Sequence, residues 1–384
     1  MMPIAHAKLS ASGSSRWLAC PASVKACESI EGRTNANDKN QSAEEGTCAH
    51  ELADICLNTG CDPDTYLGKT LKDAPEVVVD LEMVNHVRDY VEYCNRLGGE
   101  AHTEQRVSFS DYVPDGFGTS DFFTFNKVND LSVCDIVDLK YGKGVPVYAE
   151  NNTQAMLYAL GVMEEYDFMY EVDLFRLHIY QPRIDNISVW EITASELLEW
   201  GETVVKPKAR EALSDNASFA PGEKQCRFCS YKSHCKSLLK FSYDQIGADF
   251  NTVSSGDDFP QVDAMGTYAV GQVLKHKSLI ESWLNAVEKR AYEELTSGNK
   301  LDGFKLVRGR GSRKWSENAE ARVVTALGEN AYKKTMLSPA QAEKVLGKKV
   351  FSEISDLVLS VPGKPTIATQ DDKRQSIDNV SDDF

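Results

Sequence analysis

The sequence predicts an α/β fold, a mixed sheet flanked by helices, and three observations carry that expectation. Short runs of β-branched and aromatic residues begin near His102 and are split by Asp, Gly and Asn turn residues. A helical run from about Asn152 to Glu165 interrupts them, and a further strand, inside VDLFRLHIYQP, follows it. Strands in a meander, then helix, then strand describe a sheet with helices packed against it.

The elements follow in order. Residues 1–60 read as helical after a short loop, with a polar approach over 37–45 leading into GTCAHELADICL. A second helix is expected over about 74–97, because Val78, Leu81, Val84, Val87, Val91 and Cys94 recur at helical spacing. Gly98-Gly99 stops it. Strands are expected in HTEQRVSFS, SDFFTFN and LSVCDIVDLKYG, then in VDLFRLHIYQP, with ISVWEIT as an edge strand. Ser195 is expected to cap a helix running to about Leu213, with Glu196 in its first turn. A polar linker over 214–225 leads into CRFCSYKSHC.

Beyond about Phe250 a mainly helical region is expected. Val262, Met265, Ala269, Val273, Ile280, Leu284, Val287 and Ala291 form one apolar stripe at helical spacing. GFKLVRGRGSRKW reads as a hairpin, and two shorter helices follow, the second opened by Ser338-Pro339. The end of the chain is polar and acidic and reads as disordered. The expected domains are therefore 1–245, 250–360 and a tail over 361–384.

At 384 residues, 42% hydrophobic and 26% charged, the composition is that of a water-soluble globular protein. No apolar run is long enough to span a bilayer, and the first twenty residues lack the apolar stretch of a secretory signal, so a cytoplasmic location is expected. The net charge of −16 excludes a broadly basic surface but leaves room for a local basic groove. In a reducing compartment the ten cysteines are better read as buried thiols and ligands than as a disulfide framework.

The chemistry concentrates between Glu104 and Tyr158. Asp138 and Lys140, two apart on a strand, project from one face while Leu139 turns to the core. Gln154 and Tyr158, four apart, share one face of the next helix. Asp121 closes a turn and starts a strand that can set its carboxylate beside Asp138. Carboxylates bind hard divalent cations such as Mg²⁺ or Mn²⁺, and a nearby lysine stabilises developing negative charge. An amide and a phenol can hold a phosphate without competing for metal. Taken singly, each residue has an ordinary reading: a strand ion pair, a helix-surface glutamine, a packed tyrosine.

Taken in order, Asp121, Asp138-x-Lys140 and Gln154-xxx-Tyr158 resemble the RecB-like branch of the PD-(D/E)xK nuclease superfamily, over roughly residues 10–240. The resemblance implies a restriction-endonuclease-like core and a metal-dependent DNA exonuclease. That branch has a metal-ligating histidine on an upstream helix, and His50 in EEGTCAHELAD stands in its place. By resemblance, His50, Asp121 and Asp138 are metal ligands, with the Leu139 carbonyl as a backbone ligand. Lys140 is the catalytic lysine, Gln154 and Tyr158 position substrate, and Glu104 fits a strand carboxylate found in some relatives. A non-catalytic DNA-binding or adaptor protein that keeps the fold is the alternative.

Cys226-x2-Cys229-x5-Cys235 supplies three thiolates within ten residues. In one RecB-like subgroup, which includes AddB-type helicase–nucleases and exonucleases associated with CRISPR adaptation, a cysteine before the core joins three after it around a [4Fe–4S] cluster. Cys20 in SSRWLACPAS, followed by proline, occupies the early position. Spacing alone equally allows zinc, with Cys20 or His234 as fourth ligand, and Cys27 is a second choice for the early thiolate.

Lys305, Arg308, Arg310, Arg313 and Lys314, with Trp315, form a basic hairpin that could track a nucleic-acid backbone, or equally a solvated charged turn. The layout is similar to phage-encoded RecB-like proteins, which implies work in recombination or replication in a bacterial cytoplasm. The acidic end with a terminal Phe384 suggests contact with a recombination or single-strand-binding partner. Gly68-Lys69-Thr70 imitates a phosphate loop, but the upstream glycine is replaced by Pro63. Both oligomeric and monomeric forms fit the motifs.

Overall fold

A computed structural model of the chain describes residues 7–30, 41–247, 267–307, 320–327, 331–332 and 336–359. The chain divides into two compact units, Met1–Val287 and Glu288–Phe384.

The first unit is built on a five-stranded mixed sheet in the order β1-β2-β3-β4-β5. The strands are β1 (Glu100–Ser108), β2 (Phe117–Val128), β3 (Leu131–Leu139), β4 (Leu174–Gln181) and β5 (Asn186–Thr193). Neighbours are antiparallel except β3 and β4, which run parallel. A parallel step needs a long crossover, and helix α5 (Thr153–Tyr170) supplies it. Asn152 opens α5 by accepting the main-chain N–H groups of Gln154 and Ala155 at 3.1 and 3.2 Å.

Side chains alternate across the sheet and feed two cores. On one face Phe123, Phe125, Ile136, Phe175 and Leu177 pack with α5 and with Leu197, Val205 and Ala209 from the helices after β5. On the other, Phe122, Val137, Leu139 and Tyr180 pack under α3 (Gln41–Thr59) and α4 (Leu81–Leu97). Helix α5 lies close on the sheet because Gly161 has no side chain: a Cβ there would fall 2.9 Å from Val107 Cγ2.

Two short helices, α1 (Ser14–Ala19) and α2 (Ser23–Glu28), fasten the beginning of the chain. Trp17 is fully buried and donates its indole N–H to the Ser10 carbonyl, while Ser14 Oγ meets Thr153 Oγ1 at 2.7 Å at the start of α5. The Ala22 N–H donates to the Ser218 carbonyl, and Lys25 pairs with Asp215 at 2.6 Å. The start of the chain therefore rests against the segment that follows the sheet.

Several boundaries differ from the sequence expectation. Helix α4 starts at Leu81, not near residue 74, because Asp80 caps it by accepting the Met83 N–H at 2.8 Å. Val78 instead bridges to Thr70 and is exposed. Asp121 lies inside β2, which begins four residues earlier at Phe117. Thr193, not Ser195, caps α6 (Ala194–Trp200), through a reciprocal capping box with Glu196. A π-helical turn, Gly201–Val205, joins α6 to α7 (Lys206–Leu213).

Helix α8 (Glu223–Arg227) and helix α9 (Lys236–Gly247) flank the cysteine segment. Helix α10 (Thr267–Thr296) meets α9 through Leu279, which is buried, and the partly buried Trp283, against Leu238 and Phe241. Of the predicted stripe, Leu284 and Val287 are exposed, so the packed face is set one residue earlier than expected. Val262 and Met265 lie outside the described residues. In the second unit Leu301 bridges to Phe304 around Gly303, and α11 (Glu320–Leu327) and α12 (Pro339–Phe351) follow. Ser338 caps α12 by accepting the Gln341 N–H at 3.3 Å. Lys305 is exposed, whereas Arg308, Arg310, Arg313, Lys314, Trp315 and the acidic end with Phe384 lie outside the described residues. Among the described residues no helix is long and apolar enough to cross a membrane.

Candidate metal centre and cysteine cavity

Three strands set carboxylates side by side. The β1–β2 register pairs Thr103 with Phe122 and Gln105 with Ser120, which leaves Glu104 facing Asp121. The β2–β3 register pairs Phe122 with Val137, so the next step brings Asp121 toward Asp138. Glu104 interrupts β1 with φ of 42°, a left-handed value that non-glycine residues rarely hold. Helix α3 adds His50, whose Nδ1 lies 3.3 Å from Asp121 Oδ1 and 3.7 Å from Glu104 Oε1. One donor atom from each of His50, Glu104 and Asp121 falls within 4.8 Å of the others.

Asp138 is buried, and Lys140 reaches it from just past the end of β3. The ammonium donates to Asp138 Oδ1 at 3.1 Å and to Gln154 Oε1 at 3.0 Å. It also lies 2.8 Å from Asp138 Oδ2. The ammonium thus spans both oxygens of the carboxylate. Gln154 in turn donates to the Tyr158 hydroxyl at 3.0 Å. The Leu139 side chain is buried under α3 and α4, as expected, and its main-chain N–H donates to Asp121 Oδ2 at 2.7 Å. The Leu139 backbone thus runs beside the carboxylates.

The ionisation of these groups is interlocked. Burial alone would keep His50 neutral, but Asp121, Glu104 and Asp138 outweigh it and hold the imidazole pKa well above the ordinary value. Burial likewise disfavours the Asp121 anion, yet His50, Lys140 and the Leu139 N–H hold its carboxyl below the usual range. Asp138 goes the other way: burial and the Asp121 charge raise its pKa despite Lys140. Burial also raises Glu104, with His50 opposing. A cluster of acids that needs two partly buried cations to remain charged has the donor set of a hard divalent cation. The residues present fit such an ion.

Arg183 also belongs to this frame, although it stands in no motif. Its guanidinium is almost fully buried, lies 4.8 Å over the Tyr141 ring, and pairs with Glu45 on α3 at 2.5 Å. It thereby ties the helix that carries His50 to the end of β4. No local pattern announces a contact between residues 138 positions apart.

A second constellation joins the beginning of the chain to the segment after the sheet. Cys20, Cys226, Cys229 and Cys235 line one cavity with Pro221, Gln225 and Leu238. Three of the sulfurs accept main-chain N–H groups: Cys20 from Ala220 at 3.4 Å, Cys226 from Gly222 at 3.5 Å and Cys235 from Leu238 at 3.4 Å. Cys27 comes within 3.8 Å of Cys229, sulfur to sulfur, and accepts an Arg16 N–H at 3.0 Å. Hydrogen bonding from Cys229, reinforced by Ser230 and Arg16, lowers the Cys27 thiol pKa against burial. His234 stacks on Tyr231 and contacts Ser233. Four thiols line one cavity, with N–H groups aimed at three of them, and among the described residues no three of them converge as closely as His50, Glu104 and Asp121 do.

Comparison with known proteins adds a family and similar solved structures. The family described as "Protein of unknown function (DUF2800)" matches residues 6–375. A solved structure titled "Crystal structure of SSO0001" is similar at 15% identity, over 61% of this chain and 89% of that chain, with a TM-score of 0.28.

Proposed function

The chain belongs to the DUF2800 family, and from its own site we propose that it is a metal-dependent DNA nuclease with a RecB-like PD-(D/E)xK core. The observation that carries this reading is the convergence of His50, Glu104 and Asp121 beside a buried Asp138 that is bonded to Lys140. A binding module has no use for a lysine held against a buried acid beside such a group; phosphodiester hydrolysis does.

His50, Asp121 and Asp138 would hold Mg²⁺ or Mn²⁺, with Glu104 and the Leu139 backbone beside them. Bound there, such an ion would supply Lewis acidity to polarise a phosphate and acidify a water. The chain's own groups do the rest. Lys140, held between Asp138 and Gln154, presents a fixed positive charge where negative charge develops on the phosphate. Gln154 and Tyr158, linked to each other on the first turns of α5, orient the scissile strand. Digestion from DNA ends is the form of activity the family resemblance implies.

Cys20, Cys226, Cys229 and Cys235 would hold a [4Fe–4S] cluster that fastens the start of the chain to the segment after β5. Zinc is the competing occupant of the same thiolates. An anaerobic preparation, its visible spectrum and its metal content separate the two: a brown protein with iron and sulfide supports the cluster, and a colourless one with stoichiometric zinc replaces it.

The test of activity is digestion of end-labelled single- and double-stranded DNA with Mn²⁺, with Asp138→Ala as control. Cleavage that depends on Asp138 is expected. Intact DNA under all conditions, with binding retained, would turn the reading to an adaptor that keeps only the fold.

A further inference from the structure

The cysteine segment carries a surface that neither the metal centre nor the thiol cavity uses. Between Glu223 and Asp244 the sequence has five cations, Lys224, Arg227, Lys232, Lys236 and Lys240, and no carboxylate, in a chain of net charge −16. Lys232 is engaged internally, donating to the Arg227 carbonyl at 3.0 Å and to Ser282 Oγ at 2.9 Å. Lys224, Arg227, Lys236 and Lys240 point outward and are exposed.

An aromatic ring stands among them. Cys226 and Cys229 are both buried, so the two residues between them are pushed to the outside of the turn, and Phe228 is 82% exposed. The Arg227 guanidinium lies 5.6 Å from its ring centroid. The exposed ring offers an apolar face on which a flat partner group can stack, and the cation beside it selects the partner's charge. The acidic remainder of the chain makes this positive patch a local feature, which concentrates an anionic polymer there and nowhere near most of the surface.

We propose that this cysteine knuckle is a binding surface for single-stranded DNA, with Phe228 stacking on a base and Arg227, Lys224 and Lys236 contacting the flanking phosphates. The proposal rests on the nuclease reading for the choice of DNA, and on this surface for the choice of single strands. Stacking requires a base with an open face, which the interior of a duplex does not offer; away from its ends a duplex can satisfy only the cations.

The experiment uses the full chain with Asp138→Ala, so that DNA is not consumed, and reads fluorescence anisotropy of labelled oligo(dT) and of a matched duplex. Phe228→Ala should weaken oligo(dT) binding about tenfold and leave the duplex nearly unchanged, and Phe228→Trp should restore it. Arg227→Gln with Lys236→Gln should flatten the salt dependence of oligo(dT) binding by about one to two units of slope. Oligo(dT) affinity that ignores Phe228 would overturn the proposal. So would tighter binding of oligo(U) than of oligo(dT), or equal competition by polyglutamate. Absence of cleavage by the unsubstituted chain would sink the nuclease reading while leaving these binding results to stand or fall by themselves.

Discussion

Gly118 lies against the Cε1 edge of the Tyr158 ring. A Cβ built on Gly118 would come 2.6 Å from Tyr158 Cε1, so the strand that leads to Asp121 and the helix that carries Gln154 and Tyr158 touch at a point with no room for one methyl group. The contact couples two motifs that are forty residues apart in the chain.

Gly118→Ala is therefore expected to displace the Tyr158 ring and break its hydrogen bond from Gln154. Misplacement of a substrate-positioning group by about 1 Å costs about a hundredfold in rate, so cleavage should fall by about that factor. Mn²⁺ affinity should stay as it was, since His50, Glu104 and Asp121 do not touch the new methyl. Thermal melts of Gly118→Ala, Tyr158→Leu and the double variant check the cause: removing the ring should remove most of the penalty of the methyl.

Lys140→Met separates the structural from the chemical role of the lysine. Asp138 is buried, and Lys140 is the cation bonded to it. Removing one partner of a buried pair costs roughly 3–5 kcal/mol, and the low end applies because the lysine side chain is 28% exposed. The metal-free variant should melt earlier, and Mg²⁺ should stabilise it more than it stabilises the unsubstituted chain, because the ion replaces the missing charge. DNA cleavage should still be lost. A variant that melts normally without metal would mean that Asp138 is held by something other than Lys140.

Cys20→Ser tests the fastening of the chain's beginning. Cys20 shares a cavity with three cysteines more than two hundred positions later, and a covalent or metal link across so long a loop limits the unfolded chain strongly. Loss of bound metal and early proteolysis within residues 7–30 are expected, with the sheet core more resistant. Cys27→Ser is the informative control. If Cys27 is the ligand instead of Cys20, the two variants will exchange behaviour, which its 3.8 Å approach to Cys229 makes a fair trial.

Much of this site is legible in sequence because it follows local periods. The two-residue step, carried one position past the end of β3, brings Lys140 to Asp138 and buries Leu139, and the four-residue step of α5 joins Gln154 to Tyr158. What escapes is set by tertiary contact or by competing local chemistry. Glu104 itself is expected from the resemblance, but the left-handed backbone angle by which it joins the centre is encoded by no pattern. Thr193 wins the cap from Ser195 because only Thr193 stands three residues before a glutamate that can bond back to it. The α10 stripe misleads by one position, since Leu279 and Trp283, not Leu284 and Val287, find a partner surface. Arg183 finds Glu45 only once β4 and α3 are folded together.

The same beginning of the chain is expected to respond to acid through Glu211. Its carboxylate accepts from Lys208 at 2.9 Å and from the Ser218 N–H at 3.2 Å, and Ser218 in turn holds the Ala22 N–H through its carbonyl. Lys208 and the Ser218 hydroxyl lower the Glu211 pKa from 4.5 to about 2. A depressed carboxyl contributes its stability fully above the unfolded value and loses it as pH falls through the folded one. The contribution should therefore be complete at neutral pH and fade between about 4.5 and 2. Solvent screening keeps it below about 1 kcal/mol, because the group is near the surface. Melting temperatures of the chain and of Glu211→Gln, compared from neutral pH down to about 3, should differ most at neutral pH and converge as acid is added. A difference that stays constant or grows on acidification would show that the loop over 214–218 is held by groups other than this carboxylate.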